Sequence, residues 1–145
     1  MAIYLKTAII PEVLTRKSVV QSEIYNHKSE MVMKDLRKIT IPLWKLASGK
    51  TLANTALAYQ VFGPEVGTAP MVLVNHALTG NSNISGDNGW WSDTIGEGKT
   101  IDTHHFTVIA FNIPGNGFDG ETNNFIYNYK DLTAKDVAAI FWLGL

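Results

Sequence analysis

An apolar strand that stops abruptly at a histidine limits the folds open to this chain. Residues 71–75 follow Pro70 and are apolar up to Val74, and the chain then continues with His76 and Ala-Leu-Thr-Gly at 77–80. A run without polar alternation is typical of a strand buried on both faces of a parallel sheet. We therefore predict a buried parallel strand, followed by a turn whose backbone amides lack strand partners.

Three further strands are predicted around it. Residues 39–46 alternate roughly between apolar and polar side chains, and residues 52–62 form a second strand pattern. The turn residues at 48–50 between them indicate an antiparallel hairpin. Pro42 favours an edge position or a bulge for the first of these strands. Residues 105–112 form a second buried apolar strand.

Long loops rich in Gly and Asn follow the two buried strands, over residues 76–100 and 113–127, and the first has room for one short helix. A helix is predicted over residues 132–143, between a Thr-Asp capping box and a terminal glycine. The capping residues are Thr133 and Asp136, and the terminal glycine is Gly144. The predicted buried face consists of Ala134, Val137, Ala138 and Phe141. The order of elements indicates the start of an α/β sheet.

The composition excludes several classes of protein. The 145 residues are 46% apolar and 17% charged, with a net charge of −1, which fits one folded domain and gives no indication of a nucleic-acid partner. Because the chain has no cysteine, disulfides and cysteine-ligated zinc are excluded. The absence of cysteine also fits a cytoplasmic protein, which we therefore expect. No apolar run reaches the roughly 18 residues that a membrane span needs, so no membrane partner is expected.

Charge divides the chain near residue 38. Residues 1–38 hold seven of the twelve Lys and Arg and four of the thirteen Asp and Glu. The net charge is therefore about +3 in this part and about −4 in the remainder. We predict an N-terminal extension over 1–38 and a folded domain over 39–145. The extension is either a solvated arm without chemistry or an arm that packs on a partner subunit.

The turn after the first buried strand has the features of an oxyanion site. The strand-to-loop turn at residues 75–80 is expected to leave the backbone N–H of Leu78 unpaired. Such a donor stabilises the tetrahedral intermediate of acyl transfer by roughly 3 kcal/mol. The alternative is a strand end whose small residues serve tight packing.

Other motifs are weaker indications of a site. Residues 115–120 spell G-x-G-x-x-G, but no helix pattern begins there, so an ordered Gly-rich loop is favoured over a dinucleotide site. The adjacent histidines at 104–105 point to opposite faces of a strand, and with His76 are expected to be ordinary hydrogen-bonded histidines. The tryptophan pair at 90–91 either walls a pocket or anchors the core.

Residues 39–145 resemble the homoserine O-acetyltransferases, an α/β-hydrolase family. The similarity is carried by Val-Leu-Val-Asn-His-Ala-Leu-Thr-Gly at 72–80, Gly-Trp-Trp at 89–91, Ile-Gly-Glu-Gly at 95–98 and Ile-Asp at 101–102. The resemblance implies an α/β-hydrolase fold, of which the chain holds the N-terminal part of the sheet and ends before the nucleophile elbow.

The same resemblance implies an acyltransferase. The enzyme would move acetyl from acetyl-CoA to homoserine in methionine biosynthesis through an acyl-serine, with acetyl-CoA as co-substrate and no bound cofactor or metal. Leu78 would be the backbone oxyanion donor, and Ala77 and Thr79 would shape the substrate-binding turn. The full-length enzyme would be a homodimer.

Two alternatives stay open on the sequence. The loop at 112–120 departs from the family's N-x-x-G-G pattern. A serine esterase of the same fold, with water in place of homoserine, is therefore one alternative. The other is a non-catalytic interaction fragment, because none of the seven serines is flanked as in G-x-S-x-G and no Ser-His-Asp set can be assigned.

Overall fold

A four-stranded mixed sheet, a two-stranded sheet and one α-helix make up the described part of the chain. The computed structural model describes residues 35–145. The strands are β1 Arg37–Lys45, β2 Thr51–Phe62, β3 Met71–Val74, β4 Ile95–Gly96, β5 Ile101–Asp102 and β6 Thr107–Phe111. Two short 3-10 turns, Thr122–Asn124 and Tyr129–Asp131, precede the helix α1, Ala134–Gly144. The predicted extension lies almost wholly outside the described residues, and its boundary stays a prediction.

The predicted hairpin is confirmed at one edge of the four-stranded sheet. Strands β1 and β2 pair antiparallel, and Gly49 in their connection has a φ of +85°, a conformation that favours glycine. Pro42 lies on the edge strand opposite Asn54, at a gap in the pairing where Asn54 has a φ of +49°. The proline thus occupies a position where no ladder N–H is needed.

Strand β6 is the centre of the sheet, whose order is β1-β2-β6-β3. It pairs antiparallel with β2 and parallel with β3, and all five of its residues are buried, as predicted for this strand. Strand β3 differs from its prediction, because Met71 and Leu73 are 47% and 38% exposed. The prediction of burial on both faces was wrong because β3 is the outermost described strand and lies beyond the strands that α1 covers.

Alternation along β6 divides the buried side chains into two clusters. We call the first the helix-covered core; it contains Ile41, Leu57, Ile109, Phe111, Ile140 and Phe141. We call the second the loop-covered core; it contains Val74, Ile84, Ile95, Val108 and Ala110. Its cover comes from residues 75–106, which the structure folds as turns and the short strands β4 and β5 rather than with the expected short helix.

Helix α1 begins with the predicted capping box. The Thr133 hydroxyl accepts the N–H of Asp136, and the Asp136 carboxylate accepts the N–H of Thr133. The same carboxylate accepts the N–H of Ala47 in the hairpin turn at 2.8 Å. The hydrogen bond from the Thr133 hydroxyl is the main reason why the pKa of Asp136 lies below its ordinary value.

The buried face of α1 agrees with the predicted face in part. Phe141 is buried and Val137 packs against the helix-covered core, as predicted. Ala134 and Ala138 are exposed, so the prediction was wrong for these two residues. Asp136 and Ile140, one helical turn apart, are buried instead, and Asp136 accepts the N–H of Ala47.

Gly144 lies inside the helix rather than after it. A Cβ at this position would lie 2.8 Å from Leu57 and 2.9 Å from Phe111, so the glycine permits close packing of helix on sheet. The predicted role as a C-terminal cap was therefore wrong. Within residues 35–145, no helix has the length and apolar character that a membrane span requires.

Candidate active site

The chain turns sharply at the predicted oxyanion residues just after β3. The N–H of Gly80 donates to the carbonyl of Ala77 at 2.8 Å, which closes a β-turn with Leu78 and Thr79 at its two central positions. The backbone N–H of Leu78 has no acceptor among residues 35–145, and the residue is 74% exposed. An acceptor from outside the turn can therefore reach this amide. The roles of Leu78, Ala77 and Thr79 stay predictions.

The parallel pairing of β3 with β6 places this turn beside a second loop. Val74 pairs with Ala110, so the residues that follow both strands emerge at the same edge of the sheet. The carboxyl edge of parallel strands is where α/β sheets bind their ligands. The turn at 77–80 and the loop at 112–120 are thus neighbours at a position suited to a site.

The imidazole of His76 bridges those two strand ends. Its Nε2 lies 3.3 Å from the backbone nitrogen of Ile113, and its Nδ1 lies 2.6 Å from the carbonyl oxygen of Ala77. The ring is therefore hydrogen-bonded on both nitrogens, as expected for an ordinary histidine. Sequence reasoning did not find the bridge from His76 to the second loop, because the partner Ile113 lies 37 residues away.

A buried network of polar side chains holds the chain just after the turn. The Ser82 hydroxyl donates to Gln60 Oε1 at 2.7 Å and accepts from Asn112 Nδ2 at 2.9 Å. The backbone N–H of Ser82 donates to Asn112 Oδ1 at 2.9 Å, and all three residues are at most 3% exposed. These residues were missed; the available signal was the presence of Gln60 and Asn112 in otherwise apolar strand patterns.

The serines near the turn have structural roles. The Ser82 hydroxyl is held in the network described above, and the Ser85 hydroxyl donates to the carbonyl of Ile95 at 2.8 Å. Both residues are buried. Neither hydroxyl has a histidine among its hydrogen-bond partners in residues 35–145, so neither resembles an activated nucleophile.

The glycines of the G-x-G-x-x-G motif serve the backbone of an ordered loop. Gly115 and Gly117 have φ values of +77° and +75°, and a Cβ on Gly115 would lie 2.6 Å from the backbone nitrogen of Ile126. The chain then continues into a 3-10 turn, and α1 begins only at Ala134. The geometry matches the favoured prediction of a Gly-rich ordered loop, because the glycines do not open a helix.

The tryptophan pair lies at the surface. The rings of Trp90 and Trp91 stack with centroids 5.4 Å apart, and the residues are 46% and 42% exposed. Trp90 Nε1 donates to the carbonyl of Asn81 at 2.9 Å, which ties the pair to the loop after the oxyanion turn. Neither tryptophan anchors a core, and the pocket-wall alternative stays a prediction.

The histidines at 104–105 lie in a turn rather than on a strand, because β6 begins at Thr107.

The carboxylate of Asp102 accepts the backbone N–H of His104 and that of Gly98, and these bonds lower the pKa of Asp102 to about 2. Within residues 35–145, no three His, Cys, Asp or Glu side chains are grouped closely enough to hold a metal ion.

Comparison with known proteins identifies relatives for part of the chain. It is 44% identical over 94 residues to a homoserine O-acetyltransferase of Methanobrevibacter ruminantium, a match that covers 59% of this chain and 19% of that protein. It is 41% identical over 87 residues to the homoserine O-acetyltransferase of Symbiobacterium thermophilum, covering 53% and 22%. The chain thus spans about one fifth of the length of these curated relatives. No protein-family model matches it.

Solved structures of proteins with two different activities are similar to this chain in fold. The homoserine O-acetyltransferase of Staphylococcus aureus is similar with a TM-score of 0.58 and 27% identity, over 76% of this chain and 36% of that one. Esterase E22 is similar with a TM-score of 0.51 and 28% identity, over 56% and 24%. These matches confirm the predicted fold class, the first part of an α/β-hydrolase sheet.

Proposed function

This chain is a relative of the homoserine O-acetyltransferases with an α/β-hydrolase fold, and from that premise we propose that it contributes the oxyanion side of an acyl-transfer site. The proposal is carried by one observation. The N–H of Leu78 has no acceptor among residues 35–145, and it lies in a closed β-turn at the carboxyl edge of the sheet. An amide held in this way donates to an acyl oxygen as the carbonyl becomes tetrahedral.

The proposed reaction is transfer of acetyl from acetyl-CoA to homoserine, in methionine biosynthesis in the cytoplasm. A serine hydroxyl attacks the thioester carbonyl and CoA leaves as the thiol; the homoserine hydroxyl then takes the acetyl group from the serine. The serine comes from outside these 145 residues, because none here is flanked as the nucleophile requires. Acetyl-CoA is a co-substrate, no resident cofactor or metal is proposed, and the full-length enzyme is a homodimer.

In each half of this reaction the oxyanion forms on the same acetyl oxygen. Leu78 donates its backbone N–H to that oxygen, so its contribution belongs to the transition state rather than to the bound substrate. Ala77 and Thr79 form the turn around the donor and line its substrate side.

The test separates the backbone of Leu78 from its side chain. Leu78→Pro removes both the N–H and the leucine side chain at a turn position that proline favours, whereas Leu78→Ala removes the side chain and keeps the N–H. In the natural gene product we expect homoserine-dependent release of CoA thiol. The proline variant should lose about 10²–10³-fold in kcat, and the alanine variant should stay within about threefold of wild type. Equal kcat values for the two variants would contradict the proposed donor.

A serine esterase is the second candidate, and the similarity to esterase E22 favours it. The two functions differ in the fate of the acetyl group. An acetyltransferase yields O-acetylhomoserine from acetyl-CoA, whereas an esterase yields acetate whether or not homoserine is present. Product analysis with and without homoserine therefore separates them. Absence of both products from the natural gene product would leave the interaction fragment as the surviving alternative.

A further inference from the structure

The hydrogen bonds of His76 assign its tautomer. The backbone N–H of Ile113 donates to Nε2 at 3.3 Å, so Nε2 must present a lone pair. The carbonyl of Ala77 lies 2.6 Å from Nδ1 and can only accept, so Nδ1 must carry the proton. The partners therefore require a neutral imidazole protonated at Nδ1.

The carbonyl bound by His76 belongs to the same peptide group as the proposed oxyanion donor. A peptide unit is planar, so the C=O of Ala77 and the N–H of Leu78 point in opposite directions in one plane. That carbonyl accepts twice, from His76 Nδ1 at 2.6 Å and from the N–H of Gly80 at 2.8 Å. Two donors on one oxygen fix the orientation of the plane, and with it the direction of the Leu78 N–H.

We propose that His76 is a positioning residue that aims the Leu78 N–H by holding the Ala77–Leu78 peptide against the end of β6. This inference rests on the proposed function, because the donor matters only where an acyl oxygen is to be stabilised. The ring touches neither substrate nor nucleophile in the proposal. It acts through the peptide, with Ile113 as its fixed support.

The space around the ring supports this assignment. A Cβ on Gly80 would lie 2.9 Å from His76 Cβ, 3.2 Å from its Nδ1 and 3.2 Å from the Ala77 oxygen. The φ of Gly80 is not positive, so glycine is required at this position because there is no space for a side chain, and not because of its backbone freedom. The turn thus closes directly on the imidazole, and a side chain on Gly80 would displace it.

The first experiment tests the contact without relying on acyl transfer. Long-range proton–nitrogen correlation NMR on the 15N-labelled 145-residue chain reports which ring nitrogen carries the proton. We expect the His76 signal of a neutral ring protonated at Nδ1. A ring protonated at Nε2, or one exchanging between the two forms, would overturn the proposal even if the natural gene product is an active acyltransferase.

The second experiment uses His76 variants that each keep one of the two hydrogen bonds of the ring, or neither. His76→Asn places an amide donor near the position of Nδ1, and His76→Gln places an acceptor near that of Nε2. His76→Ala has neither. Misplacement of a catalytic group by about 1 Å costs on the order of 10²-fold in rate, so we expect a loss of that size in kcat for the alanine variant. KM should change less than about twofold, because the donor acts in the transition state.

The outcomes distinguish a positioning role from a structural one. The proposal expects His76→Asn to recover most of the lost kcat, since it restores the bond to Ala77. His105→Ala, at an exposed histidine at the opposite edge of the sheet, is expected to match wild type. Equal kcat in wild type and in all three His76 variants overturns it while leaving the proposed function intact. If wild type has no acyl-transfer activity, the proposed function fails, and the NMR result still decides whether the peptide is held.

Discussion

Helix α1 and the loop of residues 75–106 cover opposite faces of the same strands with different chemistry. The helix-covered core joins large apolar side chains, with the rings of Phe111 and Phe141 stacked at 5.1 Å. The loop-covered core contains smaller apolar residues, and the polar trio Gln60, Ser82 and Asn112 is buried on the same face of the strands. Apolar contact is non-directional, whereas hydrogen bonds fix distance and angle.

This difference explains why the candidate site lies where the loop begins. A donor of an oxyanion site must be held to within about 0.5 Å of its working position. Just after the turn at 77–80, the hydrogen bonds of Ser82 attach the chain to β2 and to Asn112, the residue that follows β6. Hydrogen bonds on the loop-covered face therefore fix the position of the turn, and the helix-covered face contributes most of the buried apolar volume.

The largest effect should come from the helix-covered core. Phe111→Ala removes a ring that is 1% exposed and stacked on Phe141, and we expect a loss of about 4 kcal/mol in the free energy of unfolding. Ile84→Ala, its counterpart in the loop-covered core, should lose about 2 kcal/mol, because loop backbone can partly close the cavity. Urea denaturation measures both. A larger loss for Ile84→Ala would show that the loop, and not the helix, carries the main core.

An intermediate effect is expected where the polar network is broken. Ser82→Ala leaves Gln60 Oε1 and Asn112 Nδ2 without the hydroxyl that pairs them, and buried unpaired groups cost about 1–3 kcal/mol in all. Ser85→Ala is the matched control, since its hydroxyl serves one backbone carbonyl and its loss should cost about 1 kcal/mol. Equal losses in unfolding free energy would mean that the network adds nothing beyond single hydrogen bonds.

The elements of the fold could largely be predicted from the sequence, because period and turn chemistry act locally. The hairpin, the buried strand β6 and the capping box at Thr133 follow from patterns within a few residues. Burial of β3 was predicted wrongly, and the buried face of α1 was predicted only in part, because both depend on distant neighbours. Asp136, which the prediction left out of the buried face, accepts the N–H of Ala47, 89 residues before it.

The candidate site shows the same limit. The turn at 77–80 could be identified from the residues that follow an apolar strand, and the Leu78 N–H, which has no acceptor within the described part of the chain, agrees with that expectation. The groups that hold the turn could not, because His76 meets Ile113 and Ser82 meets Asn112 only through the parallel pairing of β3 with β6. No local pattern encodes that pairing.

The smallest effect concerns acid, and it again distinguishes the two faces. Each has one carboxylate whose pKa is lowered by hydrogen bonds, Asp136 at the start of α1 and Asp102 in the loop. The folded-state pKa of Asp102 is about 2 against an ordinary 3.8, so its charge stabilises the fold above about pH 4. That stabilisation is lost as the pH falls toward 2, where the carboxylate takes up a proton in the folded state as well.

Asp102→Asn isolates the loop's share of this acid sensitivity. The asparagine oxygen still accepts the N–H groups of Gly98 and His104, but without charge. We expect wild type to exceed the variant in unfolding free energy at pH 5, and the difference to shrink steadily and vanish near pH 2. Urea denaturation of both proteins at several pH values measures it. If the difference in unfolding free energy stays constant from pH 5 to pH 2, the effect of Asp102 comes from hydrogen-bond geometry alone. Of the two carboxylates, only Asp136 on the helix-covered face would then make the fold sensitive to acid.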